Sequence, residues 1–285
     1  MLQLFKQARA ALSLLNPESV RSLASRPVHF GLVASTRNGF AEMEEFLIPS
    51  WLATEARIQG YRMVHRAGDA NPPEKVDFVL YEEGIAGPAG TYVFYRDDPQ
   101  RTITEILSGN DDIALAVARQ FPGFRNAMVE RVVHTVAREN ALFAVATALP
   151  DVVPSLVELP WVFGEWASDT AFLTANQFRM AFMIAAAYDG DVGFMEQKGQ
   201  ILTIAAGAFG WRAIARELVG KIPLGGGLIP KGAIAYAGTY LVGKALERWH
   251  SSEARLPREE GSKIYEMALD RGRSMVKGLI PGRSK

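Results

Sequence analysis

The stretch GTYLVGKA, residues 238–245, differs by one residue from the phosphate-loop pattern G-x-x-x-x-G-K-[ST]. A working phosphate loop follows a buried strand, turns the first N–H groups of a helix toward the phosphates, and holds magnesium through its Ser or Thr hydroxyl. Ala245 stands in place of that hydroxyl, and the surrounding pattern is helical with no strand before it. Small residues at intervals of four, such as Thr239 and Gly243, let a second helix approach closely. We therefore predict a helix-packing surface here and no nucleotide binding.

The loop after the first predicted strand, ASTRNGF at residues 34–40, is the other place where a phosphate could bind. It has one glycine, Gly39, and no lysine, so it lacks the close backbone approach and the charge that a triphosphate requires. Arg37 could contact an anion. The favoured interpretation is an ordinary strand-to-helix loop in which Thr36 or Asn38 caps the helix.

Five polar residues interrupt apolar helical stretches: Arg138, Asn140, Asn176, Gln177 and Arg179. A buried polar group is costly unless it forms hydrogen bonds. These side chains therefore either pair with one another inside a helical bundle, where they would fix the register of the helices, or line a cavity for a small apolar or lipid-like ligand. We favour the first alternative and keep the second open.

Three consecutive glycines form a flexible point in the second half of the chain: Gly225, Gly226 and Gly227. Pro223 and Pro230 flank them, which favours a turn between two helices whose glycines adopt positive φ. Lys221 and Lys231 stand on either side of this turn. In the functional alternative, the N–H groups of the turn and these two lysines bind an anion or a lipid headgroup.

The four histidines stand far apart in the chain: His29, His65, His134 and His250. No acidic residue accompanies them at ligand spacing, so we interpret them as isolated surface or core residues and predict no metal site. The sequence has no cysteine, which excludes disulfides and thiol catalysis, and no G-x-S-x-G motif. We accordingly expect no catalytic residue and no cofactor.

Two kinds of pattern divide the chain into the parts that position these residues. Strand patterns at residues 27–34, 75–83 and 90–98 alternate with helical ones and predict a small α/β domain over residues 27–123. Its best-marked helix begins after Asp98, which is a favourable N-cap.

From about residue 124 onward, only helical patterns occur. Residues 124–250 predict a larger all-α domain with a glycine-rich helical hairpin. An amphipathic helix within residues 1–26, without an export signal, and a charged amphipathic helix within residues 251–285 complete the prediction. The expected fold class is α+β or α/β.

Charge and hydropathy narrow the expected location and partners. Lys+Arg and Asp+Glu are both 31, so no whole-molecule field attracts nucleic acid. The longest run without charged residues, Gly199 to Trp211, has 13 residues, whereas roughly 18 to 20 are needed to cross a bilayer. Because the second half is nevertheless unusually apolar, we expect a cytoplasmic protein whose helical half packs as a bundle or attaches peripherally to the membrane.

Residues 125–250 resemble the YcjF-type bacterial domain of unknown function. The most specific parts of the resemblance are Asn140, the LP-D pattern at Leu149 to Asp151, Gln177 with Met180, and the block IPLGGGLIPKGAIAYAGTYLVG. Members of this family are membrane-associated and are often fused to, or encoded beside, Era-like GTPase domains. The resemblance thus implies an inner-membrane surface and a GTPase-type or other protein as partners, and it implies no catalytic residues.

The predicted α/β domain resembles a G domain only in the order of its elements, and it lacks G-K-[ST], D-x-x-G after a strand, and N-K-x-D. We therefore interpret it as a nucleotide-free adaptor. The whole chain is expected to be a non-enzymatic protein that is membrane-associated or binds a partner. A soluble helical module for a small apolar ligand and a degenerate NTPase are the alternatives.

Overall fold

The computed structural model describes residues 16–70, 73–147, 169–204 and 228–279. The chain divides into two compact units. The first, which we name the α/β unit, contains Glu18–Glu130 and Ala185–Asp191. The second, the helical unit, contains the described residues of Met1–Pro17, Arg131–Ile184 and Val192–Lys285. A small parallel sheet and a predominance of helix confirm the predicted fold class.

The α/β unit is built from short helices and strands. Its elements are, in chain order, α1 (Pro17–Ser25), β1 (Phe30–Val33), α2 (Arg37–Leu47), α3 (Thr54–Tyr61), β2 (Val64–Arg66), β3 (Phe78–Glu82), β4 (Tyr92–Phe94), α4 (Pro99–Leu107), α5 (Ala114–Gln120) and a 3-10 turn (Pro122–Phe124). Strands β1, β3 and β4 lie within the predicted stretches. The sequence did not predict strand β2 or helix α3. Strand β2 has only three residues, which are too few to show an alternating pattern, and α3 buries only Gly60, so its sequence shows no periodic apolar face.

The sheet of the α/β unit is parallel throughout, with strand order β2-β1-β3-β4. Phe30 lies opposite Val64 on one side and Phe78 on the other, so β1 is a central strand. The chain leaves β1 for one neighbour and returns to form β3 on the other side. The gap between the carboxyl ends of β1 and β3 is therefore a topological switch point, which is where doubly wound sheets bind their ligands.

Strand β1 also forms the centre of this unit's core. Its alternate residues Phe30 and Leu32 are fully buried. The Phe30 ring stacks on Phe78 at a centroid distance of 5.0 Å and meets the edge of Phe121 at 4.8 Å. Such aromatic pairs contribute beyond their buried area, and they hold the amino end of β1 in the core.

Two helices of the α/β unit begin as their sequences predict. The Thr36 hydroxyl oxygen accepts a hydrogen bond from the backbone N–H of Gly39 at 3.0 Å, so Thr36 is the cap of α2. Asp98 accepts from the backbone N–H of Arg101 at 3.2 Å and caps α4 in the same way. Gly109 follows the end of α4 with a φ of 80°, a conformation that favours glycine.

The helical unit contains most of α6 (Arg125–Ala146) and α7 (Asp169–Ala187), a helical stretch at residues 198–204, α8 (Leu228–Ser252) and α9 (Arg258–Leu279). Glycines let these helices approach closely. A Cβ atom at Gly243 would lie 2.5 Å from Val133, and one at Gly272 would lie 3.0 Å from the Cα atom of Ala233. The predicted helix-packing surface is confirmed at Gly243, and residues 238–245 lie in the middle of α8.

Over the described parts of the chain, no helix is both long and apolar enough to cross a bilayer.

Candidate functional site

A cluster of amide side chains joins three helices of the helical unit. Asn140 of α6 is fully buried, and its Nδ2 donates to Thr239 Oγ1 on α8 at 2.8 Å. Asn176 Nδ2, on α7, donates to Asn140 Oδ1 at 3.0 Å. Gln177 Nε2 donates to the same Thr239 hydroxyl oxygen at 3.4 Å. We name these four residues the amide cluster.

Asn140, at the centre of the amide cluster, has a partner for each of its hydrogen-bonding groups. The second N–H of the Asn140 amide reaches the backbone carbonyl of Leu173 at 3.4 Å, so both the donors and the acceptor of this side chain have partners. A buried neutral network of this kind fixes the helices in one register. The arrangement favours the first of the two sequence interpretations, in which the polar residues pair with one another.

Two of the predicted polar residues lie outside the amide cluster. Arg179 forms an ion pair with Glu139, and their side chains are 31% and 24% exposed. Arg138 is exposed on the surface of α6. The prediction of one group of five residues is therefore corrected to a cluster of three of them with Thr239, beside a separate ion pair.

The predicted anion or headgroup turn lies largely outside the described residues, which do not include Lys221 or the three glycines Gly225, Gly226 and Gly227. Lys231 is described, and it is exposed in the first turn of α8. The hairpin and the headgroup alternative stay predictions.

At the switch point of the sheet, a carboxylate occupies the place that an anionic ligand would take. Glu82, the last residue of β3, accepts hydrogen bonds through Oε2 from the backbone N–H and the hydroxyl of Ser35, both at 2.8 Å. Ser35 belongs to the loop after β1, so this contact closes the gap between β1 and β3. The side chain of Glu82 is only 14% exposed.

The same carboxylate lies against the first turn of α2. A Cβ atom on Gly39 would lie 2.5 to 2.8 Å from the carboxyl group of Glu82, so only a glycine lets the carboxylate come this near. The N-terminus of a helix carries a partial positive charge and favours an anion. Glu82 thus fills the position where a phosphate binds in doubly wound nucleotide-binding proteins.

The electrostatics of Glu82 agree with its geometry. The backbone hydrogen bond from Ser35 lowers the pKa of the Glu82 carboxyl, the Ser35 hydroxyl lowers it further, burial opposes both, and the charge of Arg96 adds a smaller lowering. Arg96 lies 3.8 Å from Glu82 and forms a closer ion pair, at 2.6 Å, with Glu42. The nearby guanidinium is therefore shared between two carboxylates of the chain.

Sequence reasoning identified the loop at residues 34–40 and missed Glu82. The observable signal was that Glu82 lies near the carboxyl end of the strand predicted at residues 75–83. Its meaning depends on β1 and β3 being parallel neighbours, which local patterns do not reveal. Arg37, considered as an anion contact, is exposed. Asn38, considered as a cap, donates instead to Glu42 at 2.7 Å.

The interpretation of the histidines as isolated residues is wrong for at least one pair. His29 Nδ1 and His65 Nε2 lie 3.0 Å apart at the junction of β1 and β2, and the two rings stack. Burial lowers the pKa of His65, the neighbouring His29 lowers it further, and Asp69 opposes the shift. Within the described ranges, no group of three or more His, Asp or Glu residues is arranged to hold a metal ion.

A third histidine lies in a fixed hydrogen-bond arrangement in the helical unit. Arg271 Nη1 lies 2.8 Å from His134 Nε2, and because a guanidinium can only donate, that ring nitrogen must accept. His134 then carries its proton on Nδ1 and donates it to the Tyr236 hydroxyl oxygen at 2.6 Å. The tautomer is thus set by Arg271, and this contact links α6, α8 and α9.

Fold and site together define a small doubly wound α/β unit in which a carboxylate of the chain closes the switch point. The same chain has a helical unit in which hydrogen-bonded amide side chains join three helices. No family model, no curated protein and no solved structure matches this chain. The YcjF-type resemblance therefore rests on the sequence motifs alone.

Proposed function

We propose that the protein is non-enzymatic and acts by binding a partner through its surface. The observation that supports this most directly is the Glu82 carboxylate at the N-terminus of α2. A nucleotide phosphate at the switch point would compete with Glu82 for the backbone N–H of Ser35 and for the space beside Gly39. It would also meet the negative charge of Glu82 at close range, and like charges in a partly desolvated position repel strongly.

The cations near this position do not offset that repulsion. Arg96 is engaged with Glu42 and Glu82. The loop at residues 34–40 has no lysine to reach a triphosphate. These features support an α/β adaptor over the alternative of a degenerate NTPase.

The amide cluster supports the same proposal from the helical unit. A binding site for a small ligand needs polar groups that turn toward a cavity. Asn140, Asn176 and Gln177 instead turn toward one another and Thr239. The helical unit therefore fits a scaffold better than a module for an apolar ligand.

A peripheral membrane location and a GTPase-type partner form the finer part of this proposal. They rest on the family resemblance and on the apolar second half of the chain. Sedimentation with vesicles of rising anionic lipid content tests the location, and salt-sensitive binding is expected. If the protein stays monodisperse without detergent and does not bind these vesicles at low ionic strength, its partner is a molecule in solution and not the membrane.

The central test is a titration of the full chain with ATP, GTP and inorganic phosphate in the presence of magnesium. The wild-type protein should show no saturable binding. Glu82→Ala should gain weak phosphate binding, on the order of millimolar, because it uncovers the N-terminus of α2. Glu83→Ala is the matched control, since Glu83 is the next residue and is exposed. Saturable nucleotide binding by the wild-type chain would overturn the proposal.

A further inference from the structure

Helix α3 presents large apolar side chains to solvent. Trp51, two residues before the N-cap, is 70% exposed, Ile58 is 45% exposed and Tyr61 is 44% exposed. Within α3 only Gly60 is buried, and a Cβ atom there would lie 3.0 Å from Ile48. Single exposed apolar residues are ordinary, but three within eleven residues, beside a helix that buries only one glycine, make this segment a candidate contact surface.

Two arginines stand beside these side chains without an acidic partner. The guanidinium of Arg57 lies 5.9 Å from the centre of the Tyr61 ring, with Nη2 3.4 Å from the Tyr61 hydroxyl oxygen. Arg62 Nη1 lies 3.4 Å from Gln59 Oε1. Neither arginine forms an ion pair among the described residues. The pKa of Glu45 is lowered mainly by the backbone N–H of Ser50, which donates to Glu45 at 2.7 Å. The charge of Arg57 is the smallest of its causes, so Glu45 is not an ion-pair partner of Arg57.

We propose that Trp51, Arg57, Ile58, Tyr61 and Arg62, which we name the α3 surface, bind an acidic amphipathic segment of a partner protein. Aromatic anchors flanked by arginine are the composition of energetically dominant interface residues. Apolar side chains of the partner would cover Trp51 and Ile58, and its carboxylates would receive the guanidinium groups. This inference rests on the proposed partner-binding function and names the chemistry of the partner.

The charges of the α3 surface argue against two other occupants. A second copy docking through the same surface would form an isologous contact and bring arginines against arginines. Electrostatic binding to an anionic membrane takes a cluster of several basic residues, and residues 49–63 contain two arginines and one glutamate. That attraction is small for a helix of eight residues.

The test uses three fluorescent helical peptides of equal length with the same apolar face and with Glu, Gln or Lys at the flanking positions. Anisotropy titrations with the full chain should give the tightest binding for the Glu peptide, about tenfold tighter than for the Lys peptide, and the difference should shrink in high salt. Arg62→Glu should reduce or reverse this preference. Ile58→Ser should weaken the Glu peptide by about tenfold.

Leu202→Ser is the matched control, because Leu202 is an exposed apolar residue, 66% exposed, on the helical stretch at residues 198–204 of the other unit. Equal affinity for the three peptides, no binding of any of them, or indifference to Ile58→Ser would each overturn the inference. Vesicle binding or self-association that Ile58→Ser abolishes would assign the surface to a membrane or to a second copy instead. Failure with the peptides while nucleotides still do not bind leaves the proposed function standing, so the two results are distinguishable.

Discussion

In the helical unit the buried polar groups are neutral amides that bond one another, whereas in the α/β unit a carboxylate binds backbone and hydroxyl donors at the rim of the sheet. The amide cluster has no charge to titrate, so its contribution should be nearly independent of pH. The Glu82 contact is ionic, so its contribution should depend on pH and salt. The amide cluster thus serves helix packing, whereas Glu82 lies where a ligand would bind.

Asn140→Leu is expected to have the largest effect, because it removes partners from Asn176 and Thr239 in a buried place. The loss should be about 3 kcal/mol in the free energy of unfolding, measured with urea. It should be the same at neutral and mildly acidic pH. Arg138→Ala is the control, since Arg138 is exposed on the same helix, and it should change stability by less than about 0.5 kcal/mol. A loss below about 1 kcal/mol for Asn140→Leu would contradict a register-fixing role.

Gly243→Leu tests the close helix contact that accompanies the amide cluster. A Cβ atom at Gly243 already lies 2.5 Å from Val133, so a larger side chain must push α8 away from α6. The expected cost is about 2 kcal/mol for overpacking, read from the urea midpoint. The neighbouring Lys244→Ala removes a partly exposed ion pair with Glu247 and should cost about 0.5 kcal/mol. If both variants behave alike, the contact at Gly243 is not close in solution.

Glu82→Gln sharpens the comparison through pH. The folded-state pKa of Glu82 lies below its ordinary value of 4.5, so its contribution is present above that pH and is lost as the pH falls through the folded-state value. The free energy of unfolding, measured with urea at a series of pH values across this range, should therefore change less with pH for Glu82→Gln than for the wild type. Glu83→Gln, at the next and exposed position, should keep the wild-type slope. Gly39→Ala should resemble Glu82→Gln, because its methyl group displaces the carboxylate.

The features that the sequence predicts correctly are those with local causes. The start of α4 follows from Asp98, and the close packing at Gly243 follows from small residues spaced by one helical turn. Arg138 was grouped with Asn140, yet residues two apart on a helix point about 200° apart, so one is exposed where the other is buried.

The features that sequence reasoning missed depend on contacts between distant segments. Glu82 reaches Ser35 only because β1 and β3 are neighbours, and 47 positions separate the two residues. The sequence analysis treated Thr239 only as one of the small residues of the helix-packing surface. Its hydroxyl oxygen accepts hydrogen bonds from Asn140 and Gln177 because α6 and α7 pack beside α8. The His29 and His65 contact required β2, whose three residues carry no pattern.

The smallest expected effect concerns His65 in the α/β unit and His250 in the helical unit, where burial lowers the pKa of both rings. A lowered pKa means that the unfolded chain takes up the proton first. Stability is therefore full above the ordinary histidine value of 6.5 and falls as the pH drops through 6.5 toward the folded-state pKa. His65→Gln should reduce this loss, measured as the shift of the urea midpoint between about pH 7 and pH 5. His250→Gln is the matched variant in the helical unit. If only His250→Gln reduces the shift of the urea midpoint, the acid sensitivity belongs to the helical unit, and the contact between His29 and His65 has no influence on it.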